Sequence, residues 1–185
     1  MPKLAQCRFF DGTEEKINRL GLKGTWKELE HILTGFEFGL EDCTDGDTAV
    51  ALRNRFDDRF RSTRKWKKRR PQNIDWMKCL KVNGTEVCFG VKIQLSVSAQ
   101  SDFLLVDLQY LYDEIIKGHI DVAVIVVPSN KLASFLADGV AQFADAVKAI
   151  DRARASDLPL AVLAIEDDGP ALLKRLTPQG IEVAR

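Results

Sequence analysis

Asp75, Lys92 and Gln94 are the residues whose types and spacing could carry out chemistry. Metal-dependent hydrolysis of a phosphodiester needs carboxylates that hold Mg²⁺ against the phosphate, and a polar or cationic group near the attacking water. An acid on one strand and two residues at i and i+2 on the adjacent strand can meet this need, because residues two apart share a strand face. We therefore take the three residues as candidate catalytic residues, with Asp75 as the metal ligand.

The segment that carries these residues, 73–95, predicts a β-hairpin. Asn83-Gly84 at its centre is the strongest short-range signal for a two-residue turn, and this turn places Asp75 opposite Lys92. One face is nearly all apolar and is expected to belong to the core: Ile74, Trp76, Leu80, Val82, Thr85, Val87, Phe89, Val91, Ile93 and Leu95. The other face gathers the candidate residues at one end, beside Gly90, which has no side chain.

Lys92 does not suit a metal site, because an ammonium group cannot coordinate Mg²⁺. Opposite Asp75, we expect it to form an ion pair that occupies the place of the metal. Lys92 could also be only a structural partner of Asp75, which would leave a fold without catalysis.

A basic segment precedes the hairpin. Residues 59–70 hold eight Arg and Lys and no acid, an arrangement that repels itself unless an anion balances it. DNA phosphates supply such an anion, so we expect DNA-binding side chains here: Arg61, Arg64, Lys65, Lys67, Lys68, Arg69 and Arg70. The alternative is a solvated helix face or loop. Trp66 within the segment either packs on a sugar or anchors the loop to the core.

The composition indicates one globular domain over residues 1–185, since 45% of the residues are hydrophobic and 29% are charged. We expect its core at about 73–165, with a helical and basic DNA-binding portion at about 1–72. No apolar run is long enough to span a membrane and none resembles a signal peptide, so we expect a cytoplasmic protein. Cys79 and Cys88 face each other across the hairpin; a disulfide between them is conceivable, but in that compartment we expect buried free thiols.

The order of predicted elements indicates an α/β fold with a mixed central sheet flanked by helices. Leu52, Phe56 and Phe60 form the stripe of a helix that begins near Asp47. A helix at 101–117 is a candidate crossover between the hairpin and a buried strand at 121–127. The other predictions are helices at 13–20, 25–35 and 131–153, a strand at 158–165, a short helix from Gly169-Pro170 and an edge strand at 181–184.

The hairpin also resembles a known nuclease core. Ile74-Asp75, a short hairpin, and then a hydrophobic-x-hydrophobic-Gln pattern resemble the PD-(D/E)xK superfamily, in particular the BglII-like group of type II restriction endonucleases, which uses Asp and Glu-x-Gln. The segments DFLLVDL at 102–108 and KGHIDVAVIVVP at 117–128 are similar to that group's next helix and next buried strand. The resemblance covers about residues 73–128 and implies a restriction-endonuclease-like sandwich.

The resemblance implies a homodimer that hydrolyses double-stranded DNA at a specific sequence with Mg²⁺. It makes Asp75 a metal ligand, position 92 a second ligand when it is Glu, and Gln94 the group that orients water or phosphate. Lys92 departs from this pattern. A restriction nuclease is toxic without its methyltransferase, so we interpret Lys92 as an inactivating substitution, engineered or selected. The alternatives are a non-catalytic DNA-binding protein with a degenerate nuclease fold, and an interaction module that binds an acidic protein.

Overall fold

The structure is a computed structural model that describes residues 1–38, 48–68, 74–95, 101–136, 139–153 and 155–167. Within these residues it contains a six-stranded mixed sheet with helices on both faces. The strands are β1 Pro2–Phe9, β2 Lys67–Lys68, β3 Trp76–Val82, β4 Thr85–Ile93, β5 Val122–Pro128 and β6 Leu160–Asp167. The helices are α1 Thr13–Arg19, α2 Lys23–Thr34, α3 Thr48–Ser62, α4 Ser101–Ile116, α5 Asn130–Leu136 and α6 Phe143–Arg152. The predicted α/β fold class is confirmed.

The centre of the sheet is parallel and its edges are antiparallel. The strand order is β1-β6-β5-β4-β3-β2, with β4, β5 and β6 parallel to one another. Parallel neighbours need a crossover, and α4 provides it between β4 and β5, as predicted. Every residue of β5 is buried, because helices cover both faces of this strand.

The hairpin register is also confirmed. Trp76 pairs with Val91, Cys79 with Cys88, and Val82 with Thr85. The turn residues Asn83 and Gly84 both have positive φ angles, of 51° and 85°, as a two-residue type I′ turn requires. The turn therefore fixes which residues of β3 and β4 lie side by side at the far end of the hairpin.

Two hydrophobic layers sandwich the sheet. One layer packs α2 and α3 against Trp76, Phe89 and Val91. The other packs α4 and α6 against alternate residues of the central strands, among them Ala123, Ile125 and Val162. This alternation follows from the period of two along a strand, and it places one group of helices above the hairpin and another below it.

The structure corrects several details of the prediction. Ile74 lies in the α4 layer and not with Trp76, because β3 begins only at Trp76 and the chain bends before it. The single helix predicted at 131–153 is two helices, α5 and α6, with Gly139 between them at a φ of 82°. Strand β1 was not predicted; it pairs antiparallel with β6. The elements predicted after Gly169 lie outside the described residues.

The expectation of free thiols is wrong for the two hairpin cysteines. Cys79 and Cys88 are joined by a disulfide, and their Cα atoms lie 4.1 Å apart. Their direct opposition in the ladder brings the two Cβ atoms within bonding reach. In the part of the chain that the structure describes, no helix combines the length and apolar character that a membrane span needs.

Candidate active site

Asp75 lies at the open end of the hairpin, one residue before β3, and its carboxylate is held from two sides. Oδ2 accepts a hydrogen bond of 2.8 Å from the backbone N–H of Ile93. Oδ1 forms an ion pair with the guanidinium of Arg53. The Asp75 N–H donates to the carbonyl of Val91 at 3.0 Å, which continues the β3–β4 ladder by one bond. The position of this carboxylate is therefore fixed by the hairpin and by α3 together.

Arg53 is a residue of the site that the sequence analysis missed. It projects from α3, and its Nη1 donates to the carbonyl oxygen of Ile93 at 2.8 Å while Nη2 pairs with Asp75. Its Nε lies 3.5 Å from Oδ1 of Asp57, one helical turn further along α3. The available signal was this i, i+4 pair of opposite charges beside the apolar stripe of the helix.

Lys92 does not pair with Asp75, so that expectation is wrong. Its Nζ lies 3.2 Å from Oδ1 of Asp107, a residue of α4. The side chains of Lys92 and Asp107 are only 14% and 11% exposed, so this ion pair is largely removed from water. The two strand residues find partners on different helices: Asp75 pairs with Arg53 of α3, and Lys92 with Asp107 of α4.

Asp107 is a second residue that the sequence analysis missed. Burial raises the pKa of its carboxyl group; the charge and hydrogen bond of Lys92 lower it, and the nearby charge of Asp75 raises it further, so that the pKa lies above its usual range. The carboxylates of Asp75 and Asp107 are thus close enough to repel each other. The signal in the sequence was one acid inside the apolar run FLLVDLQYL of α4.

Gln94 follows Lys92 by two residues and is 8% exposed. Its backbone N–H donates to the carbonyl of Val126 at 2.8 Å, which anchors this end of β4 to β5. Among the described residues we find no hydrogen-bond partner for its side-chain amide. The hairpin therefore brings the three predicted residues to one end of the sheet, and α3 and α4 add Arg53 and Asp107 to them.

Asp57 connects the site to the basic segment. Its carboxylate accepts a hydrogen bond of 2.9 Å from the indole N–H of Trp76 and pairs with Lys68. Burial opposes its ionisation, but the hydrogen bonds from Lys68 and Trp76 and the charges of Arg53 and Lys68 outweigh burial, so the pKa of Asp57 is lowered. A chain of contacts thus runs from Lys68 through Asp57 and Arg53 to Asp75.

The basic segment has both bound and free cations in the part that is described. Arg61 donates to Asp58 at 2.7 Å and Lys68 pairs with Asp57, whereas Arg64, Lys65 and Lys67 are exposed and have no ion pair with any described residue. Arg69 and Arg70 lie outside the described residues.

Trp66 is a core anchor, the second of its two predicted roles. It is 6% exposed, and its indole N–H donates to Glu28 at 2.9 Å. The same Glu28 pairs with Lys78, a buried lysine of β3. Trp66 therefore holds the basic segment against α2 and the sheet, and its ring is not free to stack on a sugar or a base.

A Mg²⁺ ion does not fit these side chains as they stand. Mg²⁺ takes oxygen ligands in an octahedral arrangement. Both oxygens of Asp75 already have donors, and Asp107 pairs with the Lys92 ammonium. Two cationic groups at the site also repel a divalent ion. Elsewhere in the described residues, Cys79, Glu86 and Cys88 lie within 4.8 Å of one another, but the two sulfur atoms bond each other.

A comparison with known protein families identifies the family of this chain. The model of the family described as restriction endonuclease BglII/BglIII matches residues 7–165, which include the whole hairpin, α3, α4 and β5. A search of curated proteins found no match. The chain therefore belongs to the BglII/BglIII family of restriction endonucleases.

Proposed function

We propose that this chain has the fold and site of a type II restriction endonuclease that hydrolyses double-stranded DNA at a specific sequence with Mg²⁺, and that Lys92 makes its site catalytically inactive. Membership of the family indicates a nuclease, and restriction endonucleases generally use a divalent metal ion. We further propose that residues 1–185 form one nuclease domain, with the basic segment as its contact with DNA.

The geometry around Lys92 carries this proposal. Asp75 stands at the end of the hairpin, where the N–H of Ile93 and the guanidinium of Arg53 hold its carboxylate in place. The ammonium of Lys92, on the adjacent strand, stands where a second carboxylate is needed and is held 3.2 Å from Asp107. Because Arg53 pairs with Asp75 and Lys92 pairs with Asp107, the site offers Mg²⁺ no unpaired carboxylate, and the two cations repel the ion.

Each candidate residue has a role in this proposal. Asp75 is the metal ligand, position 92 is the second ligand when it is Glu, and Gln94 orients the attacking water or the phosphate. Among the cations of residues 61–68, Arg64, Lys65 and Lys67 are the first candidates for phosphate contacts, because they are exposed and have no partner among the described residues. Arg69 and Arg70 stay in the proposal as the continuation of this segment. A homodimer is proposed because a palindromic site is read by a two-fold symmetric protein.

The test is restoration of cleavage by Lys92→Glu. We expect the chain with Lys92, called wild type below, not to cut a library of supercoiled plasmids with Mg²⁺, and the Lys92→Glu variant to cut a subset of them at defined positions. Lys92→Gln is the matched control, because it removes the ammonium without adding a ligand, and it should stay inactive. If Lys92→Glu folds but neither binds Mg²⁺ nor cuts DNA, the proposed role of position 92 is wrong. Cleavage of DNA by the wild-type chain would contradict the proposal that Lys92 makes the site inactive.

A second candidate function is DNA binding by a naturally degenerate nuclease fold. The observation that favours it is the fit of Lys92 to its surroundings, since Asp107 supplies a counter-ion that is itself largely buried. A lysine introduced by chance into a site built for Glu has no such partner in general. In this case the wild-type chain should bind duplex DNA with a steep salt dependence, and Lys92→Glu should stay inactive although it folds.

A further inference from the structure

We propose that Arg53 and Lys92 together supply the positive charge that a divalent ion would bring to this site, so that a DNA phosphate binds there without a metal ion. The inference rests on the proposed function only in taking duplex DNA as the ligand. It concerns how the site binds and does not depend on whether Lys92→Glu regains cleavage.

The first argument is charge balance. Asp75 and Asp107 place two negative charges close together at the end of the hairpin, and the pKa of Asp107 is raised in part by Asp75. In a site of this kind a divalent ion offsets two carboxylates. Here Arg53 pairs with Asp75 and Lys92 pairs with Asp107, so each carboxylate has its own cation. The four groups sum to zero charge, and an added divalent ion would have no unpaired anion to bind.

The second argument is that both cations keep donors for a ligand. A guanidinium has five N–H groups and an ammonium has three. Arg53 directs donors at Asp75, Asp57 and the carbonyl of Ile93, and Lys92 directs one at Asp107. The side chains of Arg53 and Lys92 are 27% and 14% exposed, so Arg53 is the more accessible of the two cations and Lys92 is accessible only in part. Phosphate oxygens accept such donors, and Arg binds phosphate with two parallel bonds.

The third argument is the path of positive charge that leads to the site. Lys68 of the basic segment pairs with Asp57, and Asp57 lies 3.5 Å from Nε of Arg53. The exposed cations Arg64, Lys65 and Lys67 precede Lys68 along the chain. A DNA backbone that follows these cations is brought to Arg53, which pairs with Asp75 from the α3 side of the hairpin end, and Lys92 lies at the same end on the α4 side. The positive path therefore favours a DNA phosphate over a metal ion as the ligand of this surface.

The experiment measures the binding of a fluorescent pool of random-sequence duplexes by anisotropy, at constant ionic strength, in EDTA and in Ca²⁺. Ca²⁺ is the probe because it takes the same oxygen ligands as Mg²⁺. We expect the wild-type Kd in EDTA and in Ca²⁺ to agree within about twofold. Arg53→Met should weaken binding about tenfold or more in both buffers, as expected for the loss of a charged hydrogen bond. The Lys92→Glu variant should bind DNA more weakly than the wild-type chain in EDTA, and its affinity should recover at least in part with Ca²⁺.

Two control variants separate the site from the total charge. Lys117→Glu changes the net charge as Lys92→Glu does, and Arg19→Met changes it as Arg53→Met does. Both control residues are exposed, and neither lies at the end of β4 and β5 where Lys92 is the neighbour of Ile125. Neither control variant should change Kd by more than about twofold, and the Kd of neither should depend on Ca²⁺. The thermal midpoint of the wild-type chain gives a second measurement that needs no variant, because a bound ion stabilises the folded state. We expect no rise in that midpoint with Ca²⁺.

The inference is overturned if Ca²⁺ tightens wild-type DNA binding about tenfold or raises the thermal midpoint, since a metal ion then enters the wild-type site. It is also overturned if Arg53→Met folds and binds DNA as tightly as the wild-type chain. Failure of the proposed function has a different signature: no duplex is bound in either buffer, or the wild-type chain cuts DNA with Mg²⁺.

Discussion

Arg53 ties the Asp75 carboxylate to the backbone of β4. One guanidinium nitrogen pairs with Asp75, and another donates to the carbonyl oxygen of Ile93 at 2.8 Å. The N–H of the same Ile93 donates to the other oxygen of Asp75 at 2.8 Å. Helix α3 is thereby attached to the end of the hairpin through one residue of each element.

Replacing Arg53 should destabilise the protein. Arg53→Met leaves the carboxylate of Asp75 with one donor and the carbonyl of Ile93 with none from α3, so we expect the free energy of unfolding to fall by about 2–3 kcal/mol. Urea denaturation measures this loss. The exposed Arg19 provides the control Arg19→Met, for which the change should stay within about 0.5 kcal/mol. Equal effects of the two variants would show that Arg53 does not hold the site together.

Lys92 and Asp107 should be strongly coupled. Lys92→Met leaves a largely buried carboxylate without a partner and next to Asp75, and we expect a loss of about 2–4 kcal/mol. The double variant Lys92→Met/Asp107→Leu should recover much of this loss, because no buried charge is left unpaired. A double-mutant cycle by chemical denaturation gives the coupling. Additive effects would mean that the pair contributes nothing beyond its separate side chains.

Asp57 should make the protein sensitive to acid. Its pKa in the folded state is lowered from its ordinary value of 3.8, so folding favours the charged form. The resulting stability is present above that ordinary value and is lost as the pH falls through the lowered pKa of the folded state. Asp57→Asn should cost about 2–4 kcal/mol at pH 7, since it weakens bonds to Lys68, Arg53 and Trp76.

The measurement is the free energy of unfolding of both proteins between pH 7 and pH 2. The difference between wild type and Asp57→Asn should be constant from pH 7 to about pH 5 and should shrink below pH 4. A difference that stays constant down to pH 2 would contradict the assignment of this acid sensitivity to Asp57.

Lys67 and Lys68 are adjacent but should affect DNA binding differently. Lys67 is exposed and has no ion pair with any described residue, whereas Lys68 pairs with the buried Asp57. We expect Lys67→Ala to lower the slope of log K against log salt by about 0.9, as expected for one lost phosphate contact, with unchanged stability. Lys68→Ala should change this slope less and lower the unfolding midpoint. The reverse pattern would assign the phosphate contact to Lys68.

The disulfide between Cys79 and Cys88 should add a modest stability. It closes a loop with a sequence separation of 9, for which chain entropy predicts about 2.5 kcal/mol at most, and the turn at Asn83-Gly84 already closes the same loop. We therefore expect dithiothreitol, or the variant Cys79→Ser/Cys88→Ser, to lower the stability by about 1–2 kcal/mol. In a Cys43→Ser variant, a thiol titration in denaturant should find one free thiol before reduction, that of Cys7.

The sequence predicted the hairpin well because short-range rules determine it. Asn83-Gly84 selects the turn, and the turn then determines every pair up to Trp76 and Val91. The buried strand β5 and the crossover α4 were predicted for similar reasons, since an unbroken β-branched run and an amphipathic stripe are local signals. The family match over residues 7–165 covers all of these elements.

The partners of the site residues could not be predicted in the same way. Alternation along a strand places Lys92 and Gln94 on one face, but it does not indicate which helix covers that face or which residue of that helix is charged. Arg53 lies 22 residues before its partner Asp75 in the sequence. Asp107 lies 15 residues after its partner Lys92. Their contacts depend on how α3 and α4 pack on the two sides of the sheet, which is a property of the tertiary structure.

Strand β1 and Ile74 show the same limit. The segment PKLAQCRF has mostly exposed side chains and no clear alternation, so only its hydrogen bonds to β6 make it a strand. Ile74 was assigned to the face of Trp76 because the two residues are two positions apart. The chain bends between them at Asp75, and the rule of alternation applies only within a continuous strand.

The two bonds to Ile93 have a consequence for the sheet itself. The N–H and C=O of Ile93 point away from β5 to the side where the β3 ladder has ended, and an open strand edge there could pair with another chain. The Asp75 carboxylate accepts a hydrogen bond from that N–H, and Arg53 donates one to that carbonyl. The two side chains thus make the hydrogen bonds that a neighbouring strand would make. The same pair that shapes the site also satisfies the backbone N–H and C=O of Ile93 where the β3 ladder has ended.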